Sequence, residues 1–290
     1  SASLGGSDEI SLLPFDHLFK EENEFTSRVA RNTQAILREE AYFDKVADPS
    51  AGSYYIEQLT DKLAASAWDL FVETEKRGGY IKAFNKGWIA EQVQKAAADK
   101  SAKAAAGRMQ IVGVNQYPNF NELILEQGIL PPKGSLKSEG QNTIRPFRVA
   151  AEIEELRLRT EKNGQRPKVF MLKFGDPKWM TARAMFAGNF FACAGYEIIN
   201  NQGFESVEKG LETATEMEAD IVVLCSSDDR YAEAGSLARK NLSPETHVVI
   251  AGYPKEAIDQ LKEAGVKHFI HVKSNMLEEL GMYHNLLEIE

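Results

Sequence analysis

Between residues 166 and 290, five short apolar runs, KVFMLKF, YEIIN, DIVVLCS, HVVIAG and KHFIHV, alternate with segments of helical character. The helical segments begin near Lys178, Phe204, Asp229, Lys255 and Asn275. No other feature of the chain restricts its fold as strongly. Short runs that are apolar on both faces and separated by helices pair in parallel and need covering on both sides. The expectation is an α/β unit built on a doubly wound parallel sheet. Ligands of such sheets sit outside the C-terminal ends of the strands, beside the first strand, where the strand order reverses. The stretch GDPKWMTAR that follows KVFMLKF is therefore where a ligand would be held.

The strand count makes the unit flavodoxin-like, and the stretch itself narrows the ligand. A dinucleotide needs closely spaced glycines so that its pyrophosphate can approach the backbone; here there is one Gly and a Pro. An FMN phosphate favours a small, hydroxyl-rich loop, whereas Lys178, Trp179 and Met180 are bulky. A phospho-acceptor receiver needs an acidic cluster around one Asp. Asp228 and Asp229 follow the third run, but no acidic pair follows the first, so these two read as solvated loop acids.

The 290 residues suffice for about two domains, and the net charge of −9 argues against nucleic acid or an anionic membrane as partner. No apolar run has the length of a membrane span, and SASLGGSDEI carries no secretory signal. Cys193 and Cys225 lie in apolar contexts and read as buried free thiols, which fits a reducing cytoplasm. Residues 1–120 are mostly helical. ENEFTSRVARNTQAILREEAYF puts Val29, Thr33, Ile36 and Leu37 on one helical face, Tyr54 begins another helix, Gly78-Gly79 ends it, and WIAEQVQKAAADKSAKAAAGR is a helix ended by Gly107. EISLLPF and IVGVNQY read as short strands, the former without partner strands before it. Residues 121–165 form a connection rich in Pro, Gly and Ser, then a helix with Ala150, Ile153 and Leu156 or Leu158 as its stripe.

RVARNTQAILREE, DPSAGSYYIEQLT, KRGGYIKAF and IVGVNQY, in this order and spacing, resemble the methylmalonyl-CoA mutase family, and the likeness covers nearly the whole chain. The resemblance implies an N-terminal (β/α)8 barrel for the acyl-CoA and a C-terminal flavodoxin-like cobalamin domain. Residues 1–120 would be the end of the barrel, from near its seventh strand, plus a helical segment; 121–165 a linker with a helix; and 166–290 the cobalamin-type domain. In the family the first loop of that domain carries D-x-H-x-x-G. The His is the lower cobalt ligand, the Asp orients it, and the Gly lets the backbone pass close. S-x-L and G-G after the third and fourth strands make room for the nucleotide tail.

Here that pattern is degraded. Anchored on Asp176, Lys178 takes the His place and Thr181 the Gly place; anchored on CAGYEI, Met180 and Arg183 do. A charged ammonium has no lone pair, and a thioether is a poor substitute for imidazole on cobalt. No histidine lies between His17 and His247 under either alignment. After the third strand Ser226 is kept but Asp228 replaces Leu, and Ala251-Gly252 replaces Gly-Gly. An acid there needs a partner or water. EISLLPFD lacks the His-containing segment of the catalytic subunit, and LLPFD resembles the small subunit of the bacterial heterodimer. The resemblance thus implies degenerate pocket positions Asp176, Lys178, Thr181, Ser226 and Gly252. It implies no cofactor on this chain, adenosylcobalamin in a large catalytic subunit that is the partner, and a role in methylmalonyl-CoA/succinyl-CoA isomerisation in propionate metabolism.

Other polar residues have plainer readings. Arg28, Arg31 and Asn32 at helical spacing are surface or interface anchors, and DPSAGSYY is a structural corner. His268 and His271 sit three apart in a strand and point to opposite faces, against a shared metal. His247 and His284 read as single, solvated imidazoles. Three function classes follow: a non-catalytic subunit, an isomerase chain that binds the cofactor base-on without a His ligand, and a free-standing regulatory module using the Asp228 loop.

Overall fold

The computed structural model describes residues 7–17, 20–21, 23–125 and 147–289, together with Ala2 and Ile144. It divides into two compact units, residues 1–96 with 129–146, and residues 97–128 with 147–290. Much of the connection expected over 121–165, from 126 to 143, lies outside the described residues.

The regular elements described in the first unit are helices, the last of which runs on into the second unit. α1 (Glu24–Glu39) starts at Asn23, whose side chain accepts the Thr26 N–H. Its buried positions are Thr26 and Ala30, with Thr33 and Leu37 half-buried, while Val29 and Ile36 of the expected stripe are exposed. α2 (Tyr54–Lys76) begins at Tyr54 as expected, yet none of its 23 residues is buried. Gly78 and Gly79, at φ +94° and +86°, separate it from α3 (Tyr80–Asn85). α4 (Trp88–Ala105) ends before Gly107 at φ +67°.

Two expected strands are corrected. EISLLPF is unpaired among the described residues, and its recorded tie is the Gln34 amide donating to the Ile10 carbonyl. A strand is a property of a pair, and the run finds no ladder. IVGVNQY is a turn with a single bridge between Val112 and Gln116. There the Asn115 side chain does the work of a ladder: it accepts the Ile111 N–H and donates to the carbonyls of Ala104 and Met109.

In the second unit, α5 (Ala151–Lys162) buries Ile153, Leu156 and Leu158, and also Arg157, which pairs with Glu161 and donates to the carbonyls of Asn119 and Glu122. All five apolar runs are strands: β1 (Lys168–Lys173), β2 (Glu197–Ile199), β3 (Ile221–Cys225), β4 (His247–Ala251) and β5 (His268–Ile270). They form one sheet of order β2-β1-β3-β4-β5, and every pair is parallel. Alternation along β1 sends Val169 and Met171 to a core shared with α5, α6 (Pro177–Ala192) and α10 (Met276–Leu286). Phe170 and Leu172 face α7 (Val207–Glu216), α8 (Tyr231–Asn241) and α9 (Ile258–Glu263). The order reverses between β1 and β3, which places the crevice at the C-terminal ends of these strands.

Close packing of α8 on α9 depends on Gly235. A Cβ there would lie 2.3 Å from Leu261 Cδ2 and 3.4 Å from Val266 Cγ2, and both side chains are fully buried. Gly235→Ala is expected to destabilise the unit by about 1–2 kcal/mol. Overpacking costs about 1–3 kcal/mol, and the better helix propensity of Ala returns under about 1 kcal/mol. A urea midpoint unchanged from the parent chain would contradict this.

Candidate functional site at the strand ends

β1 stops at Lys173 and α6 starts at Pro177, so the stretch expected to hold a ligand is mostly helix. Asp176 is its N-cap, with Oδ1 accepting the Lys178 N–H at 2.8 Å, and Pro177 fills the first helical position, where no N–H is needed. Asp176 is thereby committed to the backbone. Lys178 and Thr181 lie exposed in the first turns of α6.

The ends of β1, β3 and β4 are tied together beneath them. Ser226 is fully buried and its Oγ donates to the Phe174 carbonyl at 2.8 Å. Gly175, at φ +83°, passes so close that a Cβ would lie 2.9 Å from that oxygen. The hydroxyl of buried Tyr231 accepts the Ser226 N–H and lies 2.8 Å from the carbonyls of both Ser226 and Ala251, with one hydrogen to give between them. Burial pushes the Tyr231 phenol up, so it stays protonated.

Gly252 is the meeting point of the site. Its Cβ, were there one, would lie 3.0 Å from Arg183 Nη1 and 3.3 Å from Asp228 Oδ1. Those two side chains form an ion pair at 2.9 Å, so the acid near the expected tail pocket has Arg183 as its partner. The Arg183 guanidinium sits 5.6 Å from the centre of the Trp179 ring, and the Lys178 ammonium 5.9 Å from it. An open cavity of about 880 Å³ lies here, with Trp179, Arg183, Asp228, Asp229, Tyr253 and Lys255 among its walls. Asp176, Lys178, Thr181, Ser226 and Gly252 are not among its lining residues.

Imidazoles play no visible part in this cavity. His271 touches the lining residue Tyr253, but its Nδ1 accepts the Lys273 N–H, and burial lowers its pKa. Among the described residues no group of His, Cys, Asp and Glu could hold a metal ion. His284, expected to be solvated, is 2% exposed; it lies against the Tyr196 ring with Nε2 3.1 Å from Thr160 Oγ1. His247, also expected in solvent, is half-buried against the edge of His268. Cys193 and Cys225 are free and buried; burial pushes the Cys193 thiol up to about 12 and raises that of Cys225 as well. Among the described residues no helix is long and apolar enough to cross a membrane.

Residues 1–148 match the family model for methylmalonyl-CoA mutase. Over 288 residues the chain is 43% identical to a methylmalonyl-CoA mutase small subunit of Porphyromonas gingivalis, covering 98% of this chain and 46% of that protein. It is 35% identical over 290 residues to a small subunit of Streptomyces virginiae, covering 97% and 46%. A small subunit of Propionibacterium freudenreichii subsp. shermanii is 31% identical over 267 residues, covering 91% and 41%. The chain spans about half the length of the curated relatives it matches.

Proposed function

Because this chain belongs to the methylmalonyl-CoA mutase family, we propose that it serves as part of the small, non-catalytic subunit of an adenosylcobalamin-dependent mutase. Its partner is a large catalytic subunit, which holds the cofactor and interconverts methylmalonyl-CoA and succinyl-CoA. The first unit is the end of the family's barrel, and the second is a flavodoxin-like domain of cobalamin-binding ancestry.

The observation that carries this reading is the Arg183–Asp228 pair packed against Gly252. A glycine at the end of β4 would leave room for a nucleotide tail, and here a guanidinium and a carboxylate fill that room. The residues do not fit a cobalt-ligated corrin in other respects. Asp176 is spent on capping α6, and the indole of Trp179 with its two cations stands where α6 faces the cavity. Tyr231 and Ser226 lace the strand ends shut beneath. The subunit role is supported separately by the bare apolar surface of the helical unit, where Tyr54, Leu63, Trp68, Phe71 and Ile81 are all more than half exposed. Apolar surface on this scale marks a contact face.

The test is retention of cobalamin. The chain mixed with adenosylcobalamin and desalted is expected to keep no visible spectrum. Lys178→His alone is expected not to restore one, since position 178 lies outside the cavity lining. Binding at micromolar Kd or tighter, about −8 kcal/mol, would make the chain a cofactor-binding isomerase half instead. Co-purification of the full-length small subunit with a large subunit, raising its yield or stability, is the matching positive result.

A further inference from the structure

A second cavity, of about 650 Å³, lies beside α6 and shares no lining residue with the one at the strand ends. Its size is that of a small-molecule site. Phe120, Met185, Phe186 and Ile198 give it apolar walls, Gln116, Tyr117, Thr181, Asn189 and Asn200 contribute polar groups, and among the described residues no Asp or Glu lines it. Lys173 does line it.

Lys173 is the last residue of β1, and alternation puts it on the α6 face with Val169 and Met171. It is 9% exposed, and among the described residues its ammonium has no hydrogen-bond partner and no carboxylate within ion-pair distance. Its register neighbour Cys225 supplies no counter-charge, because burial raises that thiol and keeps it neutral. The Lys173 ammonium is not among the buried atoms left without a partner, so it opens onto the cavity, where a bound anion would meet it directly. The walls decide what kind of anion. One cation balances one negative charge, and apolar walls accept a hydrocarbon body; a phosphate dianion would find no second cation among the described lining residues.

We propose that this cavity binds a small organic carboxylate with a short hydrocarbon tail, its carboxylate on Lys173 and its tail against Met185 and Phe186. Of the five positions that the resemblance implies, Thr181 alone lines this cavity, and the proposal stands whether or not the strand-end cavity takes a corrin.

Hexanoate titrated into the chain by calorimetry is the test. Binding with a Kd of about 1 mM or tighter is expected. Hexanol, with the same tail and no charge, is expected to bind at least about tenfold more weakly, as is hexanoate to Lys173→Met. Inorganic phosphate should not compete. No heat with hexanoate up to about 10 mM, far above that expected Kd, would overturn the proposal. So would equal binding of hexanoate and hexanol, full binding by a folded Lys173→Met, or displacement by phosphate. Should Lys173→Met fail to fold, the comparison of hexanoate with hexanol on the unaltered chain still decides.

Discussion

Tyr231→Ala is expected to lower the unfolding free energy of the sheet unit by about 3–5 kcal/mol, the range for removing a large buried aromatic side chain. The ring is fully buried in the core between the sheet and α8. Its hydroxyl also joins the ends of β3 and β4, through the Ser226 N–H and the carbonyls of Ser226 and Ala251. Tyr231→Phe separates the two contributions. It keeps the ring and strands a buried N–H and a buried carbonyl, which costs about 1–3 kcal/mol. Urea unfolding followed by circular dichroism measures both variants. A Phe variant as stable as the parent would show that the hydroxyl tie has no energetic weight.

Acidification is expected to destabilise the second unit through His284. The hydroxyl of Thr160 donates to the Leu156 carbonyl, so the Nε2–H of His284 donates to that hydroxyl. This assigns the tautomer from the network and leaves Nδ1 bare, buried and without a partner. Burial first, and the Arg159 charge second, lower the pKa from the ordinary 6.5 to about 4. Between those values the unfolded chain holds more proton than the folded one, so stability falls as the pH is lowered through this window. The slope from this one group reaches about 1.4 kcal/mol per pH unit, or up to about 3 kcal/mol across the window. His247 and His268, also lowered by burial, act in the same direction. Thermal melts between pH 4 and 7 check this. His284→Gln should flatten the dependence, and an unchanged slope would assign it to other groups.

The sheet was legible because its strands are apolar on both faces and evenly interrupted. Each of the five runs is a strand, and the helices begin close to the expected residues, as with Pro177 for Lys178 and Met276 for Asn275. EISLLPF has the same local composition as those strands, but among the described residues it has no neighbour to pair with, and a single run cannot show that. IVGVNQY misled for a different reason: the bonds of one asparagine side chain, Asn115, outweigh the β propensity of the run. At the strand ends, Asp176-Pro177 carried a helix-start signal that was readable from the sequence, an N-cap followed by Pro. The partner of Asp228 was not readable, since Arg183 stands 45 residues away and meets it only through the sheet. The burial of His284 depends likewise on α10 packing against α5.

The bare surface of α2 gives the chain two kinds of thermal behaviour. With none of its residues buried, this helix is held, among the described residues, by its own backbone bonds, a Trp68–Phe71 stack, the exposed Glu73–Arg77 pair, the Gly52 N–H on Glu57 and Arg77 over the Trp88 ring. Such a segment follows helix–coil statistics and loses its order gradually from the ends inward. The parallel sheet, with both faces buried, gives way in one cooperative step. Far-ultraviolet ellipticity should therefore decline steadily on warming, long before the sheet unit melts. That slope is a property of the chain itself, and a flat baseline drawn through it would misstate the melting enthalpy.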